Sequence, residues 1–266
     1  MSVQLVAGGA VAVVAGLYFG VVPSSTKTLG GLLSATNADA RAQAQQLFVF
    51  PETQVAALPT ISGHSANTYY RILGPATGQR ILLIHGIGGS WANFPRVLEC
   101  LVTKGFQLLV FDIYGRGCSD APPGSYNAPF FVQQAVALMD HVGWDRASAL
   151  GFSMGGAIAV NLADLHPERV DKLILIAPAG LMKSLPPNAR LLATPIIGDI
   201  LSQTVAKHVM LKENASDQEE YKKQPGMEHC VQSMKVGRIN LMHNPGFYRS
   251  FVSTIRGGML ANQIWF

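Results

Sequence analysis

Four short stretches of this 266-residue chain are apolar at nearly every consecutive position: residues 80–85 (RILLIH), 107–112 (QLLVFD), 147–152 (ASALGF) and 173–177 (LILIA). A strand with one wet face alternates apolar and polar residues, whereas a strand apolar on both faces needs cover on both. Between these runs the apolar residues take helical spacing. Val97, Leu98, Leu101 and Val102 fall in 95–104, closed by Gly105; Phe131, Ala135, Leu138 and Val142 form a second face, closed by Gly143; residues 154–165 form a third. Strand and helix alternate, so the expected class is α/β: a mostly parallel sheet with helices on both faces. A further strand, carrying Tyr69 and Tyr70, is expected over 67–73. Beyond Pro178 the texture changes. Residues 183–245 hold Pro186, Pro187, Pro195, Pro225 and Pro245 and no comparable strand, which predicts a helical insertion. A helix near 246–256, with Phe247, Phe251 and Ile255 on one face, follows it.

Charged residues make up 14% of the chain and hydrophobic ones 48%, against about a quarter charged in average globular proteins. A disordered chain is excluded by this balance. Cys100, Cys118 and Cys230 are odd in number and lack ligand spacing, so separate reduced thiols are expected, with no disulfide framework, metal or cofactor. The net charge of +4 comes without a Lys/Arg cluster, which argues against a nucleic-acid partner. Residues 1–26 contain no charge, and 5–22 form an 18-residue apolar run ending at Pro23. As a helix this run would be roughly 27 Å long, close to a bilayer core. The expectation is a membrane anchor over 1–23, then a linker over 24–45 rich in small and polar residues. Lys27 and Arg41 follow the run and no basic residue precedes it, which favours a cytoplasmic body. A cleaved signal peptide, leaving a secreted or lumenal body, and a buried helix are the alternatives. A lumenal body would also give meaning to the glycosylation pattern at Asn214–Ser216. Gly8, Ala12, Gly16 and Gly20 form a small-residue stripe through which two spans could associate.

The chemistry centres on Ser153. Gly151-Phe152-Ser153-Met154-Gly155 fits G-x-S-x-G and lies between an expected strand and an expected helix. Its glycines allow a sharp turn that lifts the Ser153 hydroxyl above the sheet at a helix N-terminus, where developing negative charge is favoured. Acyl transfer also needs donors for a tetrahedral oxyanion. The Met154 N–H and the Ile87 N–H, in the loop His85-Gly86-Ile87-Gly88, are the expected pair. His85 reads as a loop-shaping residue rather than a base, Asp112 as a structural residue of a tight turn, and His166 as a surface residue.

The series HGIGGSW, FDIYGRGCSD, GFSMGG and HPERVDKLILIAPAG resembles the α/β-hydrolase superfamily over roughly residues 46–266. It is most similar to the cap-bearing branch, with membrane-bound monoacylglycerol-lipase-type serine hydrolases and meta-cleavage-product hydrolases. The resemblance implies an α/β-hydrolase core over 46–180 and a helical cap with a return helix over 181–266. It also implies a Ser153 nucleophile and a triad acid and His that follow the cap, each on a loop after a further strand. No such strand–loop element precedes Phe266, so the last two strands, the triad acid and the base are expected to lie beyond it. His208, His229 and His243 fall in or beside the cap and are not expected to act as base. The implied function is hydrolysis of hydrophobic, lipid-like (acylglycerol-type) esters through an acyl-enzyme on Ser153, with weak turnover by this chain. The alternatives are a C–C bond or small-ester hydrolase and a non-catalytic binding protein. The strand at 173–177 would leave an apolar edge open to self-association.

Overall fold

The computed structural model describes residues 28–48 and 52–261. Its sheet holds β1 (Gln54–Pro59), β2 (Ser65–Leu73), β3 (Arg80–Ile84), β4 (Gln107–Phe111), β5 (Ala147–Phe152) and β6 (Val170–Ile176) in the order β1-β2-β4-β3-β5-β6. The β1–β2 and β2–β4 pairs are antiparallel, and β4–β3, β3–β5 and β5–β6 are parallel. The helices, in chain order, are α1 (Ala38–Phe48), α2 (Pro95–Thr103), α3 (Ala128–His141), α4 (Met154–Leu165), α5 (Pro187–Ala193), α6 (Ile197–Leu201), α7 (Lys207–Lys222), α8 (Glu228–His243) and α9 (Phe247–Arg256).

The period of two along a strand divides the apolar runs between two cores. Leu82 and Ile84 of β3 and Leu109 and Phe111 of β4 pack with Phe131 and Leu138 of α3 and Ile158 and Leu162 of α4. Ile81 and Leu83, with Leu108 and Val110, point the other way and pack with Trp91 and with Leu98 of α2. β3 and β4 are therefore apolar throughout because each of their faces has its own helical cover. The insertion after β6 is helical, as α5 to α8, and α9 returns over the core with Phe247, Val252 and Ile255 buried.

Three expectations change. The stretch read as a linker is structured from residue 28. Leu29 bridges to Ala121, and α1 begins after Asn37, whose Oδ1 accepts the Ala40 N–H at 3.0 Å. Ala40 and Ala44, four residues apart on one face, are buried, and Leu32 and Ala44 join a cluster with Cys118, Val236 and Ile239. Second, β1 precedes the first strand expected. Third, the single-pass membrane protein is not supported: among the described residues no helix is long and apolar enough to cross a membrane. The apolar run at 5–22, on which that expectation and the 1–23 anchor rested, lies outside the described residues.

β6 has β5 on one side and no strand on the other among the described residues. Leu173, Ile174, Leu175 and Ile176 are each 38–41% exposed, on both faces of the strand. The sequence pattern that asks for cover on both faces is thus only partly met here.

Candidate active site

β5 ends at Phe152 and α4 begins at Met154, so Ser153 alone makes the turn, at φ 53° and ψ −122°. This is a conformation that a residue with a Cβ takes at a cost of about 1–3 kcal/mol, and only where its surroundings enforce it. Here the Ser153 N–H donates to the Ile176 carbonyl at 3.0 Å, and its own carbonyl accepts from the N–H groups of Gly156 and Ala179, both at 2.9 Å. Close approach then demands the flanking glycines. A Cβ on Gly155 would stand 2.1 Å from the Ile84 carbonyl oxygen, and one on Gly151 would stand 2.3 Å from that of Gly155. The first turn of α4 therefore rests on the end of β3. The loop after β3 crosses the same point, since a Cβ on Gly86 would lie 3.2 Å from that of Ser153.

That loop is held by its neighbours. His85 is buried; its Nδ1 contacts the Gly86 carbonyl at 2.8 Å, and its Nε2 lies 3.0 Å from the Ile113 N–H. Because an N–H can only donate, Nε2 is the acceptor and the proton sits on Nδ1. Burial holds the imidazole neutral, pulling its pKa down to about 3. Both nitrogens are engaged, so His85 orients the Gly86–Ile87 peptide and has no nitrogen left for Ser153. With the Gly86 carbonyl tied to His85, the Ile87 N–H of the same trans peptide is directed the other way, and it has no backbone partner among the described residues. The Ile87 carbonyl accepts from Arg116 Nε at 3.0 Å. The Met154 N–H opens α4 and stands outside its helical hydrogen-bond ladder. Gly88 has open space at its Cα.

Two buried ionisable groups brace the loop from behind. Asp112 accepts from the Ser90 hydroxyl and from the N–H groups of Trp91 (3.3 Å) and Cys118 (2.9 Å). Burial outweighs these donors and pushes its pKa up to about 7. Arg116, fully buried, also donates to the Tyr114 carbonyl at 3.1 Å and to Thr254 Oγ1 at 3.0 Å, joining α9 to the Ile87 loop. Its role could not be read from the sequence, where it was one residue in a Gly-rich turn.

The Ser153 hydroxyl has no hydrogen-bond partner among the described residues, and it lines a cavity of about 500 Å³ together with Ile87, Phe94, Phe152 and Met234. His229 and Cys230 of α8 line the same cavity. His166 lies after α4 beside Glu168 at 3.5 Å, and His208 is exposed on α7. Neither these two nor His243, at the end of α8, reaches the cavity wall.

Residues 79–251 match the family model described as the alpha/beta hydrolase fold. Among curated proteins, the chain is 38% identical over 112 residues to 2-hydroxy-6-oxo-6-phenylhexa-2,4-dienoate hydrolase of Burkholderia cepacia, covering 41% of this chain and 39% of that one. It is 35% identical over 113 residues to proline iminopeptidase of Clostridium botulinum, covering 41% and 39% respectively. The matched region thus spans about 39% of the length of these relatives. Among solved structures, the enol-lactonase from Burkholderia xenovorans LB400 superposes with a TM-score of 0.62 at 23% identity, over 78% of this chain and 75% of that one.

Proposed function

Because the chain belongs to the alpha/beta hydrolase fold family, we propose that Ser153 is the nucleophile of a serine hydrolase acting on carboxylic esters with hydrophobic, acylglycerol-type chains. The observation that carries this reading is the Ser153 turn: a side chain held at positive φ, its hydroxyl unpartnered and facing a cavity with apolar walls. In the proposed reaction Ser153 Oγ attacks the ester carbonyl carbon and gives up its proton. The carbonyl oxygen becomes an oxyanion that the N–H groups of Ile87 and Met154 stabilise. The tetrahedral intermediate then expels the alcohol, which takes a proton, and water later releases the acid from the acyl-enzyme. The two phenylalanines, Ile87 and Met234 would receive the hydrocarbon part.

A serine hydroxyl without a base is a weak nucleophile. Among the described residues no imidazole is hydrogen-bonded to Ser153, and His85 has both nitrogens engaged. Turnover by this 266-residue chain is therefore expected to fall several orders of magnitude below that of a complete triad. The test is hydrolysis of p-nitrophenyl esters of graded acyl length by the chain and by Ser153→Ala. Slow turnover that rises with acyl length and vanishes in the variant supports the reading; turnover that survives the substitution overturns it. A second reading, hydrolysis of an oxo-dienoate or a small ester, is favoured by the name of the Burkholderia cepacia relative. It predicts a preference for such compounds over long-chain esters in the same assay.

A further inference from the structure

The described wall of the Ser153 cavity includes four glycines, Gly86, Gly88, Gly89 and Gly237. None of them has the left-handed φ that would demand glycine. Two are demanded by packing instead. A Cβ on Gly86 would lie 3.2 Å from that of Ser153, and one on Gly89 would lie 2.6 Å from Asn93 Oδ1. The other two have room. Among the described residues, a Cβ on Gly88 would meet nothing within 4 Å. One on Gly237 would meet, outside its own helix, only Asn214 Nδ2 and the Gly88 carbonyl oxygen, both at 3.8 Å, an ordinary van der Waals distance. Gly237 also sits in the interior of α8, where glycine is the least favourable residue after proline. Neither backbone conformation nor close packing accounts for it.

Its place on the helix does. Cys230, Ser233, Met234 and Gly237 all line the cavity, and steps of three and four residues put them on one face of α8. Val236 and Ile239 turn away from that face, into a cluster with Leu32 and Ala44. A side chain at 237 would therefore continue the cavity-facing stripe, and the two atoms nearest its Cβ belong to residues of the same cavity wall. We propose that Gly237 is a specificity-determining residue. By carrying no side chain it keeps the cavity wide beside Gly88, so that the substrate can be branched at a carbon bonded directly to the ester group. The inference rests on the reading of this cavity as the substrate pocket of Ser153 and adds the shape of the substrate. Branching belongs next to the carbonyl for a positional reason. Gly88 follows Ile87, whose N–H is proposed for the oxyanion, and consecutive Cα atoms are about 3.8 Å apart. The open space at Gly88 and Gly237 thus adjoins the reacting carbonyl rather than the far end of a chain. A straight chain leaves part of that space empty, whereas an added methyl fills it and gains contacts with the wall.

Ketones are ester-shaped but cannot be hydrolysed, so they report binding whether or not the chain turns over. Methyl hexyl ketone and isopropyl butyl ketone are isomers, and only the second is branched beside its carbonyl. Titration calorimetry of the full chain, of Gly237→Ala and of Gly237→Leu gives the affinity of each protein for each ketone. The parent should bind the branched isomer at least as tightly as the straight one. Gly237→Leu should lose roughly tenfold in affinity for the branched isomer, the size of an ordinary overpacking cost, and less than about twofold for the straight one. Gly237→Ala should show the same order with a smaller loss. Thermal unfolding gives a second readout: Gly237→Ala should melt about 2–4 °C above the parent, because alanine is the better helix former and its methyl has room. Equal losses for the two ketones, or none, overturn the role of Gly237 and leave the pocket reading standing. So does a Gly237→Ala chain that melts below the parent, since glycine would then be there for packing. Failure of both ketones to bind the parent overturns the pocket reading and this inference with it.

Discussion

Replacing Ser153 with glycine should make the protein more stable than replacing it with alanine, the reverse of what the two residues do at an ordinary position. Both substitutions remove the same hydroxyl, which has no partner among the described residues. They differ only in the Cβ, and with the backbone at φ 53° and ψ −122° the Cβ is the source of strain. Alanine cannot relax, because three backbone hydrogen bonds to Ile176, Gly156 and Ala179 hold the turn. Relief of strain is worth about 1–3 kcal/mol. Against it stands the extra freedom of glycine in the unfolded chain, about 0.4–1 kcal/mol. The difference should therefore favour Ser153→Gly over Ser153→Ala by up to about 2.6 kcal/mol, with a mid-range value of about 1.3 kcal/mol, which at this chain size is a melting-temperature gap of roughly 3–5 °C. Equilibrium urea unfolding of both variants, compared at equal m-values, measures the gap. If glycine comes out the less stable by its usual 0.4–1 kcal/mol, Ser153 carries no backbone strain and the reasoning from the turn fails.

Two further predictions concern the surroundings of the site. Burial pulls His85 down to about 3 and pushes Asp112 up to about 7. His85 thus contributes stability that is present above its unfolded value of about 6.5 and is lost as pH falls toward 3. Asp112 contributes stability that is present below its unfolded value of about 3.9 and is lost as pH rises through 7. Between about pH 4 and 6.5 the two slopes oppose each other. In Asp112→Asn only the His85 slope remains, so the urea midpoint of that variant should climb more steeply with pH than that of the parent; equal slopes would contradict the assignment. The half-exposed apolar edge of β6 should promote association through strand pairing. Leu173→Lys or Leu175→Lys should lower the weight-average mass seen by sedimentation equilibrium at high protein concentration, and a parent chain that stays monomeric throughout would refute this.

How much of this was legible in the sequence depends on how local the cause was. The strands β3, β4 and β5 were readable because consecutive apolar residues have one economical explanation, a strand buried on two sides, and the alternate residues of β3 and β4 do feed two separate cores. The turn at Ser153 was readable because Gly151 and Gly155 are required by contacts within a few ångströms of it. β1 was missed because Gln54–Pro59 has few strand formers and ends in proline, and its pairing with β2 supplies the order that its composition lacks. α1 was missed because alanine and glutamine give a weak amphipathic signal, although Asn37 ahead of an alanine-rich stretch was a capping clue. Arg116 and His229 depend on chain segments more than a hundred residues apart in one case and on the placement of α8 in the other. No spacing rule connects Arg116 to Thr254, or His229 to the cavity that Ser153 lines.

The most direct test of the account is prolonged exposure of the full chain to a fluorophosphonate, followed by peptide mass spectrometry to locate the adduct. Attack by Ser153 Oγ would form an oxygen–phosphorus bond and release fluoride. The account predicts a slowly forming adduct on Ser153 alone, absent in Ser153→Ala. An intact, folded chain that forms no adduct, or forms it at another residue, would contradict the claim that Ser153 is the nucleophile.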